Sequence, residues 1–225
     1  MNGAVPQDTE TEDRLNVRSA GLQNRSRERV EQILAAAEIL VVETGMEGLK
    51  MRELARRAAL PIASLYHYFP SSSSIVRAIA IRYLDSLRTV LAAELEDIID
   101  PATPIDQRPQ TADRLVRNVL DYLLRTPASA TIWDSLRSSP DLRQLDMEDT
   151  ARNARALEPY LRWVLPNLPA ERVPTLMVVI LEAVQANVIV IMHSPAVMRP
   201  ELIDALADML SSTLKGLQYG SQHRD

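Results

Sequence analysis

Apolar positions recur at three- and four-residue steps along most of this chain, and no stretch alternates as a half-buried strand would. Val30, Ile33, Leu34, Ala37, Leu40 and Val41 form one stripe, which predicts a helix opening near Ser26 and ending at Gly45. Ser26 is a residue type that caps a helix start, and glycine suits the position just past a helix end. Residues 51–58 (MRELARRA) predict a short second helix with Leu54, Ala55 and Ala58 inward, followed by a turn at Ala59 and Leu60. Pro61 suits the first turn of a helix, and 62–69 (IASLYHYF) predicts the third. A fourth helix is expected from Ser71, its cap, through Ile75, Ile79, Tyr83, Leu87 and Leu91 to about Ile99. Residues 100–110 carry three prolines and read as a loop. Further helices are expected at about 111–125, 128–138, 142–164, 170–193 and 199–217, punctuated by Pro127, Pro140, Pro166, Pro169, Pro195 and Pro200. Pro159 and Pro174 fall inside or beside these segments and blur their ends.

The pattern therefore predicts an all-α chain in three parts. Residues 1–24 are polar, lack apolar periodicity and are expected to form a flexible arm bearing Arg14 and Arg18. Residues 25–72 form a small three-helix domain, and 73–225 a helical bundle.

Charge is unevenly divided along the 225 residues, whose net charge is −5. From Arg14 to Arg88 there are 12 Lys or Arg against 7 Asp or Glu; the rest of the chain holds 13 against 23. A basic front on an acidic body fits a nucleic-acid reader, although a solvated surface produces imbalances of that size as well. With no cysteine, a disulfide framework and any thiolate chemistry are excluded. The longest apolar stretch, Met177–Met192, carries Glu182, Gln185 and Asn187; a membrane span rarely does. No secretory signal is visible, and a cytoplasmic protein without membrane attachment is expected.

Helices two and three, joined by a tight turn and closed by helix one, describe a helix-turn-helix, in which one helix enters the DNA major groove and another braces it. The run GMEGLKMRELARRAALPIASLYHYF (45–69) resembles the signature of the TetR family of bacterial transcriptional regulators, through Gly45, Leu54, Ala55, Ala58, Leu65, Tyr66, Tyr68 and Phe69. The preceding ILAAAEILVVETG (33–45) is similar to that family's first helix. Four positions depart from the family pattern. Lys50 stands where Thr or Ser usually caps the second helix and touches a phosphate. Ala59 replaces the turn glycine, and Ala63 a glycine early in the recognition helix. Ser72 replaces the lysine that grips a phosphate at the start of the fourth helix.

The resemblance implies a ligand-responsive repressor that binds a palindromic DNA operator as a homodimer and is released by a small-molecule effector; Gln185 and Asn187 within an apolar run point to a largely hydrophobic one. It also implies a body that dimerises through its last two long helices. The DNA-binding residues expected on this basis are Lys50, Arg52, Pro61, Ile62, Ala63, Ser64, Tyr66, His67 and Ser72. Ile62 and Ala63 suit thymine methyls, Ser64 a base or phosphate, and Tyr66, Lys50 and Arg52 phosphates. Tyr68 and Phe69 suit the core of a small domain, and Arg56 and Arg57 are either contacts or solvated side chains. Tyr122, Trp133, Trp163, Met177, Gln185 and His193 are the candidate effector contacts; Trp and Met on a helix serve a core equally well.

Two other readings compete, besides an activator with the same DNA-binding fold, which the sequence does not separate from a repressor. One keeps the fold but weakens DNA binding and works through a protein partner; Lys50 and Ser72 motivate it. The other is an all-helical enzyme. Against it, the three histidines (His67, His193, His223) are scattered, and no Gly-rich phosphate loop, GxSxG or HExxH is present. Asp146, Glu148 and Asp149 read as a solvated acidic turn. No catalytic residue, metal site or cofactor is expected.

Overall fold

The computed structural model describes residues 9–220, with side chains from Asn24 to Tyr219. Among these residues there are nine α-helices and no strand. They run α1 (Thr9–Thr44), α2 (Met51–Arg57), α3 (Ile62–Tyr68), α4 (Ser72–Ile98), α5 (Thr111–Arg125), α6 (Ser129–Ser138), α7 (Pro140–Val164), α8 (Val173–His193) and α9 (Arg199–Gly220). The chain divides into a first unit ending at Ile79 and a second starting at Ala80.

Two details of the sequence pattern need correction. α1 starts at Thr9, so Ser26 lies inside the helix and caps nothing. The expected loop 100–110 contains a 3-10 helix, Ile105–Gln110, which leads straight into α5. The side chains of Arg14 and Arg18 in the expected arm lie outside the described residues. Pro159 sits within α7 and Pro174 in the first turn of α8, the position where a proline costs no helical hydrogen bond.

The first unit is held by a small apolar core. Ile33, Ala37, Leu40 and Val41 of α1 are fully buried, as are Leu54, Leu65, Ile75 and Ile79. The Gln32 amide donates to the Ala58 carbonyl at 2.8 Å and pins α1 to the end of α2. Gly45 ends α1 in the left-handed region, at φ 74°, and its N–H reaches the Val41 carbonyl at 2.9 Å. α4 opens with a reciprocal cap: the Ser74 N–H donates to Ser71 Oγ at 3.2 Å and the Ser71 N–H to Ser74 Oγ at 3.3 Å. The two serines thus satisfy donors that a helix start leaves open.

In the second unit α7 packs on α6 and α8, and α5 on α9. Leu120, Leu123, Leu136, Leu161 and Ile191 are fully buried. Two polar links, the first buried and the second partly so, tie α4 into this bundle. Trp133 Nε1 donates to Tyr83 Oη at 2.8 Å, and Arg88 pairs with Asp149 of α7 at 3.1 Å. By length and composition α8 could cross a membrane. Its Gln185 is instead buried and bonds Arg137 and Thr150 of the bundle.

Candidate nucleic-acid interface and body cavity

α2 and α3 are seven residues each, too short to persist alone. Leu54 and Leu65, both fully buried, give each helix one anchor in the first unit's core. The turn between them is sharp. Ala59, which stands where the family pattern has glycine, adopts φ 51°, a left-handed conformation, and the Leu60 N–H closes the turn onto Ala55 O at 2.9 Å.

With Leu65 inward, α3 presents its other residues outward. Pro61, Ile62, Ala63, Tyr66 and His67 are exposed, and Ser64 is half-buried. Phe69 is buried and Tyr68 half-buried, in keeping with a core role. Lys50 occupies the N-cap position of α2, is exposed, and makes no side-chain cap bond. Lys50 and exposed Arg52 form no ion pair with any described residue, so both charges are available to an anion. Ser72 is half-buried in the first turn of α4.

Arg56 and Arg57 are already occupied. Arg56 bonds Glu53 at 2.7 Å, and Arg57 meets Glu53 at 2.8 Å and Glu43 at 2.7 Å. Hydrogen bonds from Arg56 and Arg57 draw the Glu53 carboxyl down to about 2. This acid–base cluster braces α2 against α1, an assignment that the sequence left open.

In the second unit an apolar cavity of about 140 Å³ lies among α4–α9. Trp133, Met177 and Gln185, three of the residues singled out from the sequence, line it. The other three lie off its wall. Tyr122 is half-buried. Trp163 is covered by the Arg108 guanidinium at 4.9 Å from the ring centre, and Arg108 also donates to the Trp163 carbonyl. His193 is exposed and bonds Asp134 at 2.8 Å.

Sequence reasoning missed Asn153 and Tyr160 on the cavity wall, and with them Asp149. The expected acidic turn does not exist: Asp146, Glu148 and Asp149 lie inside α7. Asp149 is buried, where desolvation pushes its carboxyl up against the opposing pull of Arg88. The available signal was its four-residue spacing from Asn153 on one helical face. Among the described residues no cluster of acidic or histidine side chains is arranged to hold a metal.

Two family profiles match this chain. Residues 33–79 match "Bacterial regulatory proteins, tetR family", and residues 109–214 match "Tetracyclin repressor-like, C-terminal domain". Together they take in about two-thirds of the sequence and both structural units. The chain belongs to the TetR family. It is therefore a DNA-binding transcriptional regulator and not an enzyme.

Solved structures agree on the fold. A putative TetR-family regulator from Mesorhizobium loti superposes with a TM-score of 0.64 at 16% identity, over 86% of this chain and 98% of that one. A TetR-family regulator from Streptomyces coelicolor gives 0.56 at 23% identity, over 84% and 99%. The multidrug binding protein EbrR, solved with imidazole, gives 0.55 at 20% identity, over 81% and 90%. No curated protein matches the sequence. Within the TetR-family frame, the exposed residues of α3 belong to the helix-turn-helix and the cavity to the C-terminal domain.

Proposed function

We propose that this TetR-family protein is a ligand-responsive repressor that binds a palindromic operator as a homodimer in the cytoplasm and is released by a small hydrophobic effector. The observation that carries the DNA reading is the outward row on α3, with Lys50 and Arg52 beside it as unpaired cations. Tyr66, Lys50, Arg52 and Ser72 take phosphates. Ile62, Ala63 and Ser64 meet base edges at the N-terminal end of the recognition helix, and His67 lies further along. The row holds no Arg, Asn or Gln for bidentate base readout, so sequence preference rests on apolar contacts to thymine methyls and on DNA shape.

Dimerisation is supported by α8 and α9. Only 28% of the most apolar part of α8 is buried within one chain, and Val178, Val179 and Val190 of α8 and Met209 of α9 are exposed. A second copy covering that face would give the two-fold symmetry that a palindrome requires. It would set the two recognition helices about one helical turn of DNA apart, roughly 34–36 Å. The cavity supports the effector reading, because its wall is apolar with few polar groups. An effector that favours a different spacing depletes the operator-competent population.

The test is binding of the purified protein to DNA from upstream of its own coding region across a salt series, with Tyr66→Ala beside the wild type. Palindrome-specific binding that Tyr66→Ala weakens at least tenfold is expected. Equal, sequence-blind binding by both proteins overturns the assignment of α3 as the reading helix.

A further inference from the structure

The cavity wall is almost wholly apolar, and its few polar side chains are not equivalent. Trp133 spends its N–H on Tyr83 at 2.8 Å. The Tyr160 hydroxyl meets Thr111 Oγ1 at 3.1 Å. Gln185 is engaged at both ends of its amide: Oε1 accepts from Arg137 at 2.7 Å and Nε2 donates to Thr150 at 3.2 Å. Asn153 differs. Its Nδ2 donates to Asp149 Oδ2 at 2.8 Å, while its Oδ1 is buried without a hydrogen-bond partner. An ionised carboxylate only accepts, so Asp149 holds the NH2 end of the amide towards itself and fixes the orientation of the other end. Asp149 is fixed in turn by Arg88 of α4 at 3.1 Å.

A buried acceptor without a partner is costly, and a ligand that supplies a donor recovers that cost. The polarity of the vacant atom selects among ligands. A carboxylate or phosphate would set lone pairs against Oδ1. An ammonium would lose its hydration among leucine, isoleucine and valine side chains. Size selects further, because 140 Å³ is close to the roughly 150 Å³ apolar cavity known to admit benzene.

We propose that the effector is an uncharged, largely apolar molecule of about one ring's size carrying a hydrogen-bond donor, and that Asn153 Oδ1 accepts from that donor. The proposal rests on the reading of the C-terminal domain as the effector domain. It adds a consequence for regulation. A donor on Oδ1 polarises the amide and strengthens the N–H bond to Asp149, the carboxylate that holds Arg88. Asn153 is thus where occupancy of the cavity is felt by α4.

The test uses the full chain without DNA, so its failure is separate from failure of the operator reading. Calorimetric titration with phenol, toluene and benzoate compares three probes built on one ring. Phenol and toluene are expected to bind the wild type and benzoate to fail. Asn153→Leu, which keeps the branched heavy-atom shape but replaces both amide groups by bulkier methyls and so also removes the donor to Asp149, is expected to weaken phenol about tenfold and toluene by less than about threefold. Comparing the two ratios cancels the different hydrophobicity of the probes. In the wild type, the Asn153 side-chain amide resonances are expected to move further with phenol than with toluene, whose ring current alone shifts them; this readout does not require the variant to fold. The proposal is overturned by equal losses of phenol and toluene, by benzoate binding as tightly as phenol, by Asn153 resonances that move no further with phenol than with toluene, or by no phenol binding at millimolar concentration.

Discussion

Replacing Ala59 by glycine should stabilise the helix-turn-helix, and the expected size follows from the turn. Ala59 sits at φ 51°, where a Cβ approaches the following carbonyl oxygen at a cost of about 1–2 kcal/mol. Its side chain is exposed, so deleting the methyl group removes no core contact. The turn's backbone bonds, Ala59 N–H to Arg56 O at 3.3 Å and Leu60 N–H to Ala55 O at 2.9 Å, are available to glycine as well. Against the relief stands the greater freedom of glycine in the unfolded chain, worth about 0.4–1 kcal/mol. The difference is about 0.5–1 kcal/mol in favour of the variant. Amide hydrogen exchange reads the first unit separately from the second, where one global transition would mix the two. Protection at Leu60 and Leu65 should rise about twofold to fivefold, the exponential of that energy over RT. Ala59→Val should lower protection, because a β-branched residue is poorly tolerated at positive φ. Lower protection in the glycine variant, or unchanged protection in the valine variant, would refute the left-handed turn as a source of strain.

Three further outcomes are expected. Because Arg56 and Arg57 hold Glu53 near pH 2, well below its ordinary value of 4.5, its contribution to stability is present above pH 4.5 and disappears as pH falls towards 2. Acid-induced loss of exchange protection in the first unit should therefore be shallower over that range in Glu53→Gln than in the wild type. Tyr83→Phe should cost about 1–3 kcal/mol in urea unfolding of the second unit, because it leaves the buried Trp133 N–H without its acceptor; a change below 0.5 kcal/mol would mean that water replaces it. Arg88→Ala should cost about 2–3 kcal/mol near neutral pH, less than the roughly 3–5 kcal/mol of a fully buried pair, since Arg88 is 24% exposed and Asp149 7%. Burial raises the Asp149 carboxyl, and losing Arg88 raises it further, so the deficit should shrink as the pH is lowered and Asp149 takes up a proton.

The first unit was readable in the sequence because its ligand leaves little freedom. A major groove accepts one helix, that helix needs a brace, and the brace needs a turn of fixed length. Leu54, Leu65 and Phe69 are spaced by that geometry, and the structure buries all three. Even the awkward residue could be located, since a missing glycine at Ala59 implies strain only if the turn is left-handed, as it is. The element order of the second unit was legible for a similar reason: apolar stripes and prolines set helix ends locally. The start of α1 was not, because Thr9–Asn24 carries no apolar stripe to mark it.

The cavity wall was legible only in part, and particular residues show why. Trp133 and Trp163 look alike in sequence, as large aromatics on amphipathic helices. One lines the cavity and the other lies beneath Arg108, 55 residues away along the chain. Asp149 read as solvated because acidic residues cluster around it, yet its burial depends on Arg88, 61 residues away. Asn153 drew no attention at all, since an asparagine on a helix face is ordinary until its amide is oriented by a carboxylate and one end is left bare. Such properties belong to pairs of residues brought together by packing. A periodic pattern reports which face of a helix turns inward, and it does not report which inward polar atom lacks a partner. That unpartnered atom is what gives this cavity a preference among ligands of equal size.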